Sequence, residues 1–268
     1  MKKIKILITN DDGINSPGLL AAAQVGNEYG DVIVAAPSTQ QTAMGRSLKG
    51  NRDALLQPTD YEIDGVKVEA YQCDCSPALL IRHSLAVLFP VEKPDLIISG
   101  INYGENIGAT ITSSGTVGAA LEGATFGIPS IAISKETDIE SHHKYTKQNW
   151  TGTQYFLRYF VEQLLTKNLP FDVDVLKIDV PDTANSSTAW KITKQATTPY
   201  YSTVLDNPSL QSRLGDGKTA IDLDVESLEV GTDIHAIYVD KIVSVTPISI
   251  SLTSRVDFLA LKDLLKRN

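Results

Sequence analysis

Cysteine is scarce in this chain: Cys73 and Cys75 are the only two in 268 residues. A disulfide between residues so close would close an improbably tight ring, and two thiolates do not complete a zinc site. Half-buried free thiols in a reducing compartment are expected. Basic charge is also in deficit, with 24 Lys and Arg against 32 Asp and Glu and a net charge of −8. A protein that binds duplex nucleic acid gains most of its affinity by neutralising phosphates, so no nucleic-acid duplex is expected as a partner. A small anion is still admissible if a metal ion or helix N-termini attract it locally. No uninterrupted apolar run exceeds that at Leu85–Phe89, so nothing is expected to span a membrane. Lys2, Lys3 and Lys5 look like the start of an export signal, but the apolar stretch after them is too short and Asp11 and Asp12 end it. A cytoplasmic protein is expected. The GxGxxG, GxxxxGK[ST] and GxSxG signatures are missing, which removes the commonest dinucleotide, P-loop and serine-hydrolase readings.

What is present is ordinary for a globular protein: 42% hydrophobic and 21% charged residues. A chain of this mass can bury roughly three quarters of its unfolded surface, so the core needs no staple. Ile4–Thr9, Asp31–Ala36, Asp95–Ile101 and Ser130–Ser134 are nearly continuous apolar runs, as parallel strands covered on both faces require. Helical segments at Leu19–Tyr29, Ala78–Leu88 and Val117–Phe126 alternate with them. The alternation predicts an α/β protein, a three-layer, Rossmann-like, doubly wound and mainly parallel sheet. Tyr61–Tyr71 interrupts it with a hairpin signal at Asp64-Gly65. Further on, Trp150–Leu165 reads as an amphipathic helix and Asp172–Val180 as a strand. From Ala189 the chain is expected to be β-rich, with Ala236–Val239 and Ile242–Val245 as short β segments, a polar hairpin around Ser209–Lys218 and a last helix near Val256–Leu265. Residues 1–150 are read as an α/β core that carries the site. Residues 151–268 are read as the elements completing it plus a β-rich C-terminal extension, all in one structural unit.

Three successive strand ends carry oxygen donors. Asp11 and Asp12 follow the first strand, and Gly13 eases a turn that would bring both carboxylates to one place. Two adjacent carboxylates repel unless a cation sits with them. The second strand ends in the hydroxyl-rich loop Pro37–Gly45, and the third in Ser99-Gly100-Ile101-Asn102. Hard oxygen donors suit Mg²⁺, Mn²⁺ or Ca²⁺ rather than zinc. Taken singly, each loop also reads as a solvated polar strand end. Ser113-Ser114-Gly115-Thr116 opens an Ala-rich helix, either as an anion site or as simple N-capping by Ser114 or Thr116. His142 and His143, in a charged loop, are expected to be exposed and without a role.

ILITNDDGINSPG, SGINYGENIG and SSGTVGAALEG, in this order and spacing, resemble the SurE family of survival-protein-E nucleotidases over about residues 4–134. A fainter likeness continues through KIDVP and through the stretches at Gly231–Asp233 and Val243–Pro247. The resemblance implies a metal-dependent phosphomonoesterase, a 5′-nucleotidase acting on nucleoside 5′- and 3′-monophosphates and on short polyphosphate. It implies one divalent cation per subunit, Mg²⁺ or Mn²⁺ with Ca²⁺ as a non-productive occupant, on Asp11, Asp12, Thr42 and Asn102. At the hydroxyl position this family usually has serine, and Thr42 keeps the oxygen while adding a methyl. Asp11 and Asp12 are then also the catalytic residues, and Asn106 with Ser113, Ser114, Gly115 and Thr116 hold the phosphoryl group. A homodimer or homotetramer that exchanges C-terminal elements is implied as well. Two other classes stay open: an aspartyl-phosphate type of phosphatase and a non-catalytic nucleotide-binding module.

Overall fold

The apolar runs line up as the middle of one sheet. The computed structural model describes residues 3–266. In chain order its strands are β1 (Lys5–Thr9), β2 (Asp31–Pro37), β3 (Gln57–Pro58), β4 (Glu62–Ile63), β5 (Val66–Lys67), β6 (Glu69–Cys73), β7 (Leu96–Tyr103), β8 (Ser130–Lys135), β9 (Val175–Val180), β10 (Trp190–Ile192), β11 (Tyr201–Val204), β12 (Lys218–Ile221) and β13 (Val243–Ile248). The helices are α1 (Pro17–Asn27), α2 (Pro77–Leu88), α3 (Gly115–Thr125), α4 (Thr151–Thr166) and α5 (Phe258–Leu264). A nine-stranded sheet has the order β10-β13-β9-β8-β7-β1-β2-β6-β3. From β6 to β9 the six central strands are parallel, while β3 and β13 pair antiparallel to their inner neighbours.

Side chains alternate across this sheet and select its two covers. Ile6 and Ile8 pack with Leu19 of α1 and Phe156 and Phe160 of α4. Leu7 points the other way, into a cluster with Leu80 and Leu85 of α2 and Ala119 of α3. The result is the expected three-layer arrangement. Successive strands step outward in one direction from β1 to β2 and β6, and in the other from β7 to β8 and β9. The order therefore reverses between β1 and β7, and ligands in such sheets bind at the carboxyl ends of the strands flanking that point.

The sequence reading differs from the structure in a few places. The Asp64-Gly65 hairpin exists, as β4 and β5, but Glu69–Cys73 leaves it and joins the main sheet parallel to β2. There it pairs the flank of β2 that would otherwise be an open edge. Ala236–Val239 is not a strand: His235–Val239 forms a π-helical turn that buries Ala236 and Ile237. An apolar run of four residues reads alike for either state, and here Ile237 packs with Tyr200 and Ile107. The polar hairpin is present as β11 and β12, outside the main sheet. Cys73 and Cys75 are free and buried. Among the described residues, no helix is long and apolar enough to cross a membrane.

Fully buried β9 carries charge that the apolar pattern did not announce. Lys177 Nζ donates to Asp179 Oδ2 at 2.5 Å and to the Asn106 carbonyl at 2.8 Å, and lies 3.2 Å from Asp233 Oδ2. Burial pulls the ammonium pKa down, but the two aspartates outweigh that and hold it above its usual range. The backbone N–H of Asn106 donates to Asp179 Oδ1 at 2.7 Å, so this network grips the chain just beyond β7.

Candidate active site

The chain leaves β1 in a tight turn closed by Asn10, whose side chain accepts from Gly13 N–H and donates to Gly13 C=O, both at 3.1 Å. The turn brings the carboxylates of Asp11 and Asp12 to one cavity of about 340 Å³, although strand neighbours would diverge. Both are buried, at 7% and 3% exposure. Asp11 Oδ1 accepts from Thr116 Oγ1 at 2.5 Å. Asp12 accepts from Gln40 Nε2 at 3.1 Å and from Tyr103 N–H at 3.2 Å. Burial pushes the Asp11 carboxyl above the usual carboxylate range. Asp12 is pushed from the ordinary 3.8 to about 8, first by burial and then by the charge of Asp11.

Asn102 reaches the same cavity from β7, where the pairing with β8 shifts register between Ser99 and Asn102. A bulge of this kind re-aims side chains. Its amide donates to Gly104 C=O at 2.7 Å, and among the described residues its Oδ1 has no donor. Thr42, exposed on the loop after β2, lines the cavity as well, as do Asn106, Ser113 and Ser114. Ser114 caps α3, its Oγ accepting from Val117 N–H at 3.1 Å. Gly115 and Thr116 stand behind Asp11 rather than on the cavity wall: a Cβ on Gly115 would lie 2.7 Å from Asp11 Oδ2. Thr116 thus spends its hydroxyl on Asp11, and the Asn106 amide donates to Ser134 Oγ at 2.8 Å.

The sequence reading missed one whole wall. The loop after β8 folds across the site, and His142 and His143 line the cavity. Gln40 Nε2, while bonded to Asp12, also donates to His142 C=O at 2.7 Å, and Tyr145 OH donates to Asp12 C=O at 2.6 Å. The Tyr103 hydroxyl ties down Thr146 C=O at 3.0 Å. Gly104 has φ +96°, and any Cβ there would overlap the His142 imidazole. Burial lowers the His142 pKa, with His143 adding to the effect, so the ring is neutral at neutral pH. The available signal was position: this loop leaves the carboxyl end of a fourth parallel strand. Glu105 and Tyr201 were also missed. Glu105 is 3% exposed, and burial pushes its carboxyl up to about 7. It lines the cavity and also a neighbouring cleft of about 940 Å³.

Chemically, the cavity combines hard oxygen donors at one end with a helix N-terminus beside them. Among the described residues no lysine or arginine lines it, and no group of three or more His, Cys, Asp or Glu side chains is placed to share a metal ion. Two buried carboxylates with only neutral hydrogen-bond partners, beside the oxygens of Thr42 and Asn102, form a donor set that fits a hard divalent cation.

Residues 6–202 match the family model described as Survival protein SurE. The chain is similar to the 5′-nucleotidase SurE of Thermococcus gammatolerans, at 38% identity over 98% of this chain and 96% of that protein. It is also similar to the 5′-nucleotidase SurE of Archaeoglobus fulgidus, at 37% identity over 95% of each chain. Among solved structures, the SurE protein from Aquifex aeolicus superposes with a TM-score of 0.76 at 29% identity, covering 98% of this chain and all of that one.

Proposed function

The chain belongs to the SurE family, and from that premise we propose that it is a metal-dependent 5′-nucleotidase. It hydrolyses nucleoside 5′-monophosphates, and 3′-monophosphates, to nucleoside and inorganic phosphate. Short polyphosphate, which ends in the same kind of anion, is part of the proposed range. The observation that carries this reading is the buried Asp11–Asp12 pair in a cavity without lysine or arginine. Such a cavity repels a phosphate monoester unless a cation intervenes.

Asp11, Asp12, Thr42 and Asn102 would hold one divalent cation, Mg²⁺ or Mn²⁺. When bound, such an ion offsets phosphate charge and makes water a better nucleophile at neutral pH. The chain's own groups do the rest. The positive end of α3, where Ser114 lines the cavity, favours phosphoryl oxygens as charge builds on them, while Gly115 and Thr116 act through Asp11, to which they donate. Ser113 and Asn106 flank that terminus. Asp11 is oriented by Thr116, and Asp12 by Gln40 and Tyr103. Dialysis against EDTA is expected to abolish phosphate release from AMP, and Mn²⁺ or Mg²⁺ to restore it. Full activity in metal-free buffer overturns the proposal.

Residues 1–150 supply this machinery, and residues 151–268 complete the sheet and provide a surface for assembly into a cytoplasmic homodimer or homotetramer. Two observations support assembly. The surface of the chain is 14531 Å², whereas a compact monomer of this mass exposes about 11,000 Å². Residues 251–266 are exposed throughout, with Leu252, Phe258, Leu259 and Leu264 uncovered on or before α5. Light scattering at micromolar concentration should show at least a dimer, and a monomer refutes the assembly.

A further inference from the structure

The cavity is larger than phosphate chemistry needs. A volume of about 340 Å³ falls in the range of small-molecule sites and exceeds what a phosphoryl group fills. Besides the aspartates and Asn102, the cavity is lined by Glu105, His142 and Tyr201. Each comes from a different element: the loop after β7, the loop after β8, and β11 of the projecting hairpin.

Glu105 is the most telling of the three. Among the described residues its Oε2 is buried without a hydrogen bond of good geometry, and so is the Tyr201 hydroxyl. Burial outweighs the hydroxyls of Tyr201 and Tyr200, which lie close enough to pull the Glu105 pKa down, and Glu136 adds like charge, so the carboxyl has room for a better-placed donor. A buried acceptor without a donor is costly, and a ligand hydroxyl placed there removes that cost. Glu105 follows Asn102 by three residues, just past the end of β7, and lines the same cavity. Carboxylates recognise ribose hydroxyls in this way in other open α/β sheets. The His142 and Tyr201 rings meet edge to face, 5.6 Å apart at 85°. Perpendicular rings form a corner in which a flat heterocycle stacks on one and meets the edge of the other. His142 Nε2 is buried there and unpartnered.

We propose that Glu105, His142 and Tyr201 form the nucleoside subsite, with Glu105 accepting a hydrogen bond from a sugar hydroxyl and the His142–Tyr201 corner receiving the base. This rests on the nucleotidase reading and narrows its substrate class to nucleotides that keep hydroxyls on the sugar. The first test needs no variant: kcat/KM of the metal-loaded protein for AMP, 2′,3′-dideoxyadenosine 5′-monophosphate and ribose 5-phosphate. The expected preference for AMP over the dideoxy analogue is about tenfold or more, as befits a lost hydrogen bond to a charged acceptor. Glu105→Leu, which removes the acceptor, should collapse that ratio toward one, and Glu105→Gln, which keeps a neutral acceptor, should leave part of it. Tyr201→Leu should instead reduce the ratio of AMP to ribose 5-phosphate and preserve the ratio of AMP to the dideoxy analogue. Equal kcat/KM for AMP and the dideoxy analogue in the unmodified protein overturns the sugar contact while leaving the nucleotidase reading standing. Equal kcat/KM for AMP and ribose 5-phosphate overturns the base corner. No phosphate release from any of the three overturns both the subsite and the reading beneath it.

Discussion

Two pairs of buried aspartates stand on either side of Asn106, and they are resolved in opposite ways. Asp179 and Asp233 are wholly buried and share Lys177, which is itself buried and also holds the Asn106 carbonyl. Asp11 and Asp12 are almost as deeply buried, yet their partners are a hydroxyl, an amide and a backbone N–H. Taking carboxylates out of water costs several kcal/mol each unless charge is returned to them. In the first pair the chain returns it, and the network is scaffold. In the second the chain withholds it, and without a bound cation the two carboxyls hold their protons to higher pH instead. Burial of charge alone therefore does not mark the site; burial without an internal counter-charge does.

The contrast is sharpest under substitution. Asp12→Asn keeps the shape and removes one charge from the uncompensated pair. Turnover on AMP should fall by roughly 10³-fold, the scale of losing a main electrostatic contribution to a transition state. The metal-free variant should melt no lower than the unmodified protein, because a like-charge repulsion is relieved. A variant inactive because it is unfolded would erase the distinction between the two pairs. Lys177→Met does the reverse, leaving Asp179 and Asp233 buried without their cation. Denaturant titration should show a loss of about 3–5 kcal/mol. Adding Asp179→Asn to that variant should recover part of it, whereas no recovery would mean that packing rather than charge sets the cost.

The two pairs were not equally legible in the sequence. β1, β2, β7 and β8 announce themselves as unbroken apolar runs, and Asp11, Asp12 and Asn102 can be placed at strand ends by inspection. Lys177 and Asp179 instead sit inside KIDV, where a charged residue on alternate positions reads as a solvated face. Their burial depends on Asp233, more than fifty positions later, and no local pattern carries that information. The loop over the site was opaque for a related reason. It is held through backbone oxygens, His142 C=O by Gln40 and Thr146 C=O by Tyr103, so the residues it contributes show no spacing. Glu105 lay within the motif SGINYGENIG, but only its missing partner in the folded chain gives it meaning.

A smaller effect follows from protonation. Asp12 is held at about 8 in the folded protein, against an ordinary 3.8. Over the range between, the folded state binds more protons than the unfolded state, so stability falls as pH rises. Metal-free protein should therefore lose melting temperature steadily between about pH 4 and pH 8. A saturating divalent ion should flatten or reverse the trend, because it binds the ionised pair. Asp12→Asn should flatten it without metal. A metal-free profile that rises over this range would place the counter-charge inside the chain after all and make the two pairs alike.

The smallest effect tests how far the uncompensated site extends from the aspartates. Thr42 is exposed on the loop after β2 and lines the cavity, so in the proposed metal site its oxygen would add to a donor set anchored by two carboxylates. Thr42→Val preserves volume and branching while deleting that oxygen. Metal affinity should weaken by about tenfold, the lower end of what losing a supporting group at a metal site costs. Thr42→Ser keeps the oxygen and relaxes the stiff β-branched χ1, so affinity should be unchanged or slightly higher. Titration calorimetry with Mn²⁺ separates the three proteins without relying on turnover. Equal affinity for the unmodified protein and Thr42→Val would remove this hydroxyl from the ion. The site would then contract to Asp11, Asp12 and Asn102, three donors at the β1–β7 switch point, with the β2 loop serving only to place Gln40 on Asp12.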